Sequence, residues 1–261
     1  MVFILGGHGL VGSAFARHCQ RTGRPYTILD RQNRASYAGR ACDVFVNANG
    51  NSSKLLATRE PLEDFDASVR SVGASLRDFA FRRYVLISSC DVYPDCSSPE
   101  TTRESRQLDP GLQSAYGFHK LLAEQCVRHA AADWLILRCG GFVGPGLKKN
   151  PIYDVLHGGP LYLDPASELQ FLHTDRAAEI TFELLDRGVR REVFNLCGSG
   201  VVALREVTAL ERSPVPVQPG SPRVRYDVAL EKILALVDLP ETRPAVLAFV
   251  REQLDERGAM A

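Results

Sequence analysis

The sequence predicts an α/β fold, a doubly wound parallel sheet followed by a small C-terminal region, and three observations predict it. Strand-like apolar runs alternate with helical stretches up to about residue 196, the pattern of a parallel sheet covered on both faces. The first run, Val2-Phe3-Ile4-Leu5, breaks at once into the glycine-rich turn Gly6-Gly7-His8-Gly9-Leu10-Val11-Gly12, which opens a helix. With 261 residues, 45% of them hydrophobic, the chain can bury a large core and hold a smaller companion region.

Each element follows in order. Gly6, Gly9 and Gly12 are spaced so that one makes a tight turn, one lets backbone approach a pyrophosphate, and one lets helix and strand pack closely. Leu10 and Val11 sit at the helix N-terminus, whose free N–H groups favour phosphate. The Gly-x-x-Gly-x-x-Gly spacing is weak alone, so the strand before it and the helix over 13–21 carry the reading of a dinucleotide site. A second strand, Tyr26-Thr27-Ile28-Leu29, ends in Asp30, where adenosine ribose hydroxyls would be held. Only residues 31–42 separate Asp30 from the next strand, 43–48. A helix plus a strand needs more chain, so one such unit is truncated and the wall around the adenine is thin or loop-built. Asn47 and Ala48 end that strand beside the cofactor, and Gly50 lets the chain pass close to it.

Phe65, Val69, Val72, Leu76 and Phe79 predict one helix over 64–80. Tyr84-Val85-Leu86-Ile87 is a buried strand leading into Ser88-Ser89-Cys90-Asp91-Val92-Tyr93, and the proline-containing stretch 94–110 is a loop near the substrate. A helix over 114–132, a strand over 134–137 and a glycine-rich loop over 138–146 come next. Beyond them the pattern predicts a helix over 151–157, a strand over 169–173, a cap at Thr174-Asp175 for a helix over 176–187, a strand over 193–196 and a helix over 204–210. Pro214, Pro216, Pro219 and Pro222 mark a rigid extended link before helices at about 228–236 and 242–256. The expected organisation is a dinucleotide-binding domain (1–146), a substrate-side insertion (147–168), a return to the first domain (169–198), and a small substrate-binding region with the terminal helices (199–261).

Lysine plus arginine equals aspartate plus glutamate, at 31 each, and there is no basic block. That argues against nucleic acid or an anionic membrane as main partner. An opening core strand leaves no room for a signal peptide, and no apolar stretch approaches 18 residues, so a cytoplasmic protein is expected. The seven scattered cysteines form no Cys-x-x-Cys pair and read as free, mostly buried thiols. No metal site is expected; His173, after an apolar strand, reads as a satisfied core histidine.

The chemistry sits at Tyr116-Gly117-Phe118-His119-Lys120. Tyrosine and lysine at i and i+4 share a helix face. The ammonium can then lower the phenol pKa from its usual value near ~10 and hold the cofactor ribose as well. Such a phenol is a general acid for a carbonyl or a base for an alcohol, and Ser89 is placed to hydrogen-bond the same oxygen.

On these motifs the sequence resembles the extended short-chain dehydrogenase/reductase family, the NAD-dependent epimerase/dehydratase group, over nearly its whole length. The motifs are Gly6-x-x-Gly9-x-x-Gly12, Asp30, Ser88-Ser89-x-x-Val92-Tyr93, Tyr116-x-x-x-Lys120, Leu137-Arg138, Val143-Gly144-Pro145-Gly146, Phe171-Leu172-His173-Thr174-Asp175 and Pro219-Gly220. The resemblance implies a Rossmann-type domain, a small C-terminal substrate domain, a dimer built on two long helices, and catalysis by Ser89, Tyr116 and Lys120. Family members use a nicotinamide cofactor to epimerise, dehydrate or reduce, often on nucleotide-linked sugars. Several positions depart from that pattern. Gly141 stands where nucleotide-sugar enzymes carry an asparagine, and Gln170 where they often carry an arginine. Arg223, Arg225, Lys148 and Lys149 remain candidate anion contacts. Cys90 and Asp91 occupy the place of the dehydratases' Asp-Glu pair, so Asp91 is either a proton shuttle or, on the blander reading, a brace for the loop from Pro94.

The expected function is an NAD(P)-dependent oxidoreductase or epimerase acting at a secondary alcohol or ketone of a small polar, sugar-like substrate. The alternatives are a nucleotide-sugar epimerase or dehydratase and a non-enzymatic dinucleotide-binding regulator. Asp30 favours NAD by repelling the extra phosphate of NADP and outweighs Arg31 and Arg34, which lie in a solvent-facing stretch and would favour NADP, so NAD is the expected cofactor. A homodimer is expected to pack Phe79, Phe81, Phe118, Leu122 and Cys126 across a two-fold axis.

Overall fold

A computed structural model describes residues 1–211 and 214–260; Arg212, Ser213 and Ala261, which fall in the expected 199–261 region, lie outside the described residues. The opening apolar run is strand β1 (Val2–Leu5), buried along its whole length. The glycine turn leads into α1 (Leu10–Arg21), and β2 (Tyr26–Leu29) lies beside β1 in parallel register. Only a short 3-10 turn over Arg34–Tyr37 precedes β3 (Ala41–Asn47), so the helix-strand unit is indeed truncated. The chain continues through α2 (Lys54–Arg59), α3 (Pro61–Phe65), α4 (Ser71–Asp78), β4 (Ala80–Ser89), α5 (Ala115–Ala130) and β5 (Trp134–Cys139). After it come β6 (Gly141–Val143), α6 (Pro151–Leu156), β7 (Glu168–Leu169), β8 (Phe171–His173), α7 (Thr174–Asp186) and β9 (Glu192–Leu196). The chain ends with β10 (Val202–Ala203), α8 (Leu204–Thr208), α9 (Glu231–Leu234) and α10 (Thr242–Met260).

Six parallel strands form the main sheet in the order β2-β1-β3-β4-β5-β9. The winding reverses between β1 and β3, and a crevice opens at their carboxyl ends, where Leu5 pairs with Asn47. Alternate residues of each strand point to opposite faces. Ile4, Val46, Val85 and Leu135 join Phe15 of α1 and Phe182 of α7 in one core. Phe3, Phe45, Leu86 and Ile136 join Val72 of α4 and Val127 of α5 in the other. A third core gathers Ile152, Leu161, Phe171, Val202, Val207, Val246 and Val250 beyond the sheet.

Several elements differ from expectation for identifiable reasons. The single helix over 64–80 is α3, a π turn over Asp66–Arg70, and α4. Ser68 and Ser71 turn their hydroxyls back onto Asp64 and the Ala67 carbonyl there, and such bonds compete with the regular ladder. Phe79 already has extended backbone and is buried in the core, so it is unavailable to a dimer interface. The strand expected over 169–173 is split, because β7 pairs with β10 while β8 pairs with β6, inside the expected 138–146 loop. His173, rather than Thr174 or Asp175, caps α7, its Nδ1 accepting from the Asp175 N–H at 3.2 Å. The helix expected over 228–236 shrinks to α9, and part of the proline-rich link pairs with Leu161 through Val217. All seven cysteines are free and six of them buried. Among the described residues no helix is long and apolar enough to cross a membrane.

One polar cluster crosses the interior. Arg138 on β5 and Glu124 on α5 are both buried and make a forked pair, with Nη2–Oε2 at 2.8 Å and Nε–Oε1 at 3.0 Å. Ser88 donates to Glu124 at 2.6 Å, Arg138 donates to the Tyr93 hydroxyl at 2.9 Å, and Tyr93 donates to Asn195 on β9 at 2.9 Å. Burial opposes the guanidinium charge, but Glu124 and Tyr93 outweigh it and raise the Arg138 pKa. Breaking such a pair strands a charge in the core, so Glu124→Gln is expected to cost about 3–5 kcal/mol of stability in urea unfolding; a loss under about 1 kcal/mol would rule out the pair as a structural keystone.

Candidate functional site

The crevice at the reversal point holds the glycine turn. Gly9 caps α1 without any side-chain bond, leaving the first N–H groups of a twelve-residue helix free for an anion. Gly12 packs so tightly that a Cβ there would stand 2.2 Å from the Gly6 carbonyl oxygen. Gly6, Gly9, Asp30, Arg31, Arg34, Asn49, Gly50 and Ser71 line a cavity of about 590 Å³ beside it, within the range of small-molecule sites. Gly12 and Val11 lie behind it and serve packing, Val11 against the main core.

Asp30 stands at the cavity wall. Its Oδ1 accepts from the N–H groups of Gln32 (2.8 Å) and Asn33 (3.0 Å), while Oδ2 faces His8 Nε2 at 3.4 Å. The backbone bonds from Asn33 and Gln32 hold its carboxyl below the ordinary range. Arg34 is paired with Asp78 at 2.7 Å; Arg31 has no ion pair among the described residues. The Asn47 side chain has partners of its own. It is fully buried, with Nδ2 donating to the Tyr84 hydroxyl at 2.7 Å and Oδ1 accepting from the Asn49 N–H at 3.0 Å, so its side chain braces the turn. Ala48 continues the β1 ladder through its N–H to the Leu5 carbonyl at 3.0 Å.

The second half of the site lies at the carboxyl end of β4. Ser114 caps α5 by accepting from the Gly117 N–H at 3.1 Å, which sets Tyr116 in the first turn and Lys120 in the second. Gly117 lets that turn settle on the Ser89–Asp91 backbone, since a Cβ there would stand 2.0 Å from the Asp91 carbonyl oxygen. Tyr116, Lys120 and Ser89 are all buried. Lys120 Nζ lies over the Tyr116 ring, 5.4 Å from its centroid. Burial, followed by the charge of Asp91, raises the phenol pKa, and the nearby Ser89 hydroxyl pulls it back. The expected lowering by Lys120 is therefore not what governs this phenol. Burial lowers the Lys120 pKa, against the pull of Asp64, Cys139 and Asp91.

Asp91 braces something other than the loop from Pro94. Its Oδ2 accepts from Ser89 at 3.1 Å, and its Oδ1 accepts from Lys54 Nζ at 2.6 Å and from the Tyr226 hydroxyl at 2.8 Å. Lys54 also donates to Tyr226 at 2.6 Å. Neither Lys54 nor Tyr226 was foreseen; the one belongs to α2 and the other to the segment after the proline-rich link, and no local spacing connects them. Cys90 is buried and donates to the Arg138 carbonyl at 3.1 Å. Gln170 gives its side-chain oxygen to the Val228 N–H at 2.7 Å, and Arg225 is paired with Glu168 and Asp227. Lys149 approaches Lys120 closely enough to depress its pKa.

These groups fit a dinucleotide: a helix N-terminus that no side chain obstructs, an ionised Asp30 at a strand end, and a cavity between them. A second cavity, of about 470 Å³, is lined by Trp134, Val193 and Lys232 and lies toward the amino ends of β5 and β9. It contains none of the expected site residues.

A model of the NAD dependent epimerase/dehydratase family matches residues 2–197. No curated protein sequence matches the chain. Among solved structures it is similar to MoeE5 in complex with UDP-glucose and NAD, with 19% identity over 100% of this chain and 99% of that one and a TM-score of 0.81. A UDP-galactose 4-epimerase is 19% identical over 98% and 99% of the two chains, with a TM-score of 0.79. The UDP-glucuronic acid 4-epimerase from Bacillus cereus, in complex with UDP-glucuronic acid and NAD, is 14% identical over 100% and 99%, with a TM-score of 0.80. At these identities the likeness is one of fold.

Proposed function

Because the chain belongs to the NAD dependent epimerase/dehydratase family, we propose that it is an NAD-linked epimerase or oxidoreductase acting at a secondary alcohol or ketone of a small, sugar-like substrate. The observation that carries this reading is the meeting of the first turns of α5, with Tyr116 and Lys120, and the end of β4, with Ser89, where the Lys120 ammonium lies beside Gly50 in the wall of the cavity that Asp30 and the glycine turn also line. The glycine turn and the α1 N-terminus hold the pyrophosphate, Asp30 the adenosine ribose, and Lys120 the nicotinamide ribose. The bound cofactor supplies hydride exchange with the substrate carbon. Tyr116 takes the hydroxyl proton, or returns it, at its phenolic oxygen, and Ser89 holds the substrate oxygen in line. Asp91 steadies Ser89 and, through Lys54 and Tyr226, ties the substrate side of the cleft to the sheet.

A nucleotide-linked sugar is the second reading, supported by UDP-sugars in the names of the structures similar in fold. Against it, Gly141 offers no side chain, and Gln170 and Arg225 are spent on internal partners. Arg223, Lys148 and Lys149 remain to meet an anionic substrate. A homodimer joins α4 and α5 to their copies, using half-buried Phe118 and Leu122 with exposed Leu62 and Phe65 rather than Phe79. The domain partition at 146, 168 and 198 and a cytoplasmic location belong to the same proposal.

Tyr116→Phe is expected to bind NAD within about two-fold of wild type and to lose roughly 10²–10⁴ of turnover, with UDP-glucose the first substrate offered and absorbance near ~340 nm the readout; near-normal turnover would sink the acid/base role. In direct titrations, wild type should prefer NAD to NADP and Asp30→Ala should lose most of that preference, whereas a wild-type preference for NADP would place control with Arg31. Sedimentation of dilute protein should show a species of twice 28.7 kDa; a monomer alone would reject the dimer.

A further inference from the structure

Asp64 has no exposed surface, and a carboxylate cut off from water must find its partners inside the protein. Its Oδ1 accepts from Asn51 Nδ2 at 2.9 Å and from Ser68 Oγ at 3.0 Å, and its Oδ2 meets His119 Nδ1 at 2.7 Å. His119 is itself locked, its ring edge-on to Phe65 with centroids 5.6 Å apart. The three contacts take up three of the roughly four acceptor positions of the carboxylate; Asn51 and Ser68 bring no charge, and His119 brings one only when protonated.

A buried ammonium lies near the same cluster. Lys120 is buried and has no salt bridge among the described residues. A Cβ built on Gly50 would stand 3.4 Å from Lys120 Nζ and 3.7 Å from Ser68 Oγ, so the ammonium and the hydroxyl that donates to Asp64 flank one glycine. Four other groups face Lys120 from the elements around it. They are the Tyr116 ring on its own helix, Cys139 at the end of β5, Asp91 after β4, and Lys149 after β6. Burial depresses the Lys120 pKa and Lys149 adds to that; Asp64 comes first among the groups that hold it up.

Resting on the reading that Lys120 holds the cofactor ribose, we propose that Asp64, clamped by Asn51, Ser68 and His119, is the buried counter-charge of the Lys120 ammonium and thereby a positioning residue of the catalytic site. An uncompensated ammonium in this position gives up its proton at a lower pH. A neutral lysine then holds the ribose with one charge fewer and leaves the Tyr116 side of the cleft more negative.

The chain has five lysines, 54, 120, 148, 149 and 232, so protein labelled with [ε-¹³C]lysine gives a spectrum simple enough to follow Lys120 directly, its resonance identified by its loss in Lys120→Met. The Lys120 midpoint should fall by roughly one pH unit or more in Asp64→Asn, and equally in Asp64→Ser, a second neutral variant should the first fail to fold. Ser68→Ala, which removes a donor but no charge, should leave it in place. An unmoved midpoint in the Asp64 variants, or an equal fall in Ser68→Ala, overturns the proposal. Calorimetric titration with NAD separates this from the ribose reading: Asp64→Asn should lose affinity between pH 7 and 9 at least several-fold more than wild type. If Lys120→Met binds NAD as tightly as wild type, the ribose contact is wrong, whatever the resonance shows.

Discussion

The forked pair between Glu124 and Arg138 is the constraint on which the geometry at the end of β4 depends. Two buried charges are tolerated only when each is satisfied from several directions, and here the satisfying groups come from different elements: Ser88 on β4, Tyr93 beyond it, and Asn195 on β9. Glu124 lies one helical turn beyond Lys120, and Ser88 immediately precedes Ser89. The bonds that neutralise the core therefore also fix the rotation of α5 against the end of β4. Gly117 completes the fit by letting the helix touch the Asp91 backbone. A shift of the helix would both misplace Tyr116 and break a buried ion pair, so stability and site geometry are governed by the same contacts.

The cofactor end follows a different logic, that of close backbone approach. Gly12 has no room for a Cβ against the Gly6 carbonyl, and the N-terminus of α1 is thereby set close behind β1. The short connection between β2 and β3 leaves β2 at the edge of the sheet, and Asp30 at its end faces a cavity walled partly by loops and by α3. Here the turn over 30–33 supplies two backbone N–H groups that hold Asp30 ionised and fix its side chain.

What was legible in the sequence was what lies close in sequence. The glycine turn, Asp30, the truncated connection and the pairing of Tyr116 with Lys120 are local patterns with fixed geometric meaning, and the sheet that carries them follows from alternating periods. The residues that escaped reading are joined across the chain. Asp64 meets His119, Lys54 and Tyr226 converge on Asp91, and nothing in the spacing of one partner announces the other. The bracing bond of the Asn47 side chain was not legible, because a polar residue at a strand end looks alike whether it faces a ligand or a buried tyrosine hydroxyl. The stretch 169–173 was misread because two short strands serving different partners have the same apolar signature as one.

The chain carries no net charge, yet its charges are not evenly matched in effect. The pairs along the outer helices, such as Arg70 with Asp66 and Arg187 with Glu183, are largely exposed, and pairs of that kind contribute little. Around the cleft the charges alternate within the protein interior or at its edge: Asp64, Lys120, Asp91, Lys54. Tyr226 is the link that brings the C-terminal region into this series, since its hydroxyl touches both Asp91 and Lys54. The surroundings of Tyr116 are therefore set by charges held on distant parts of the chain, with Asp64 and Lys120 buried and Lys54 at the surface.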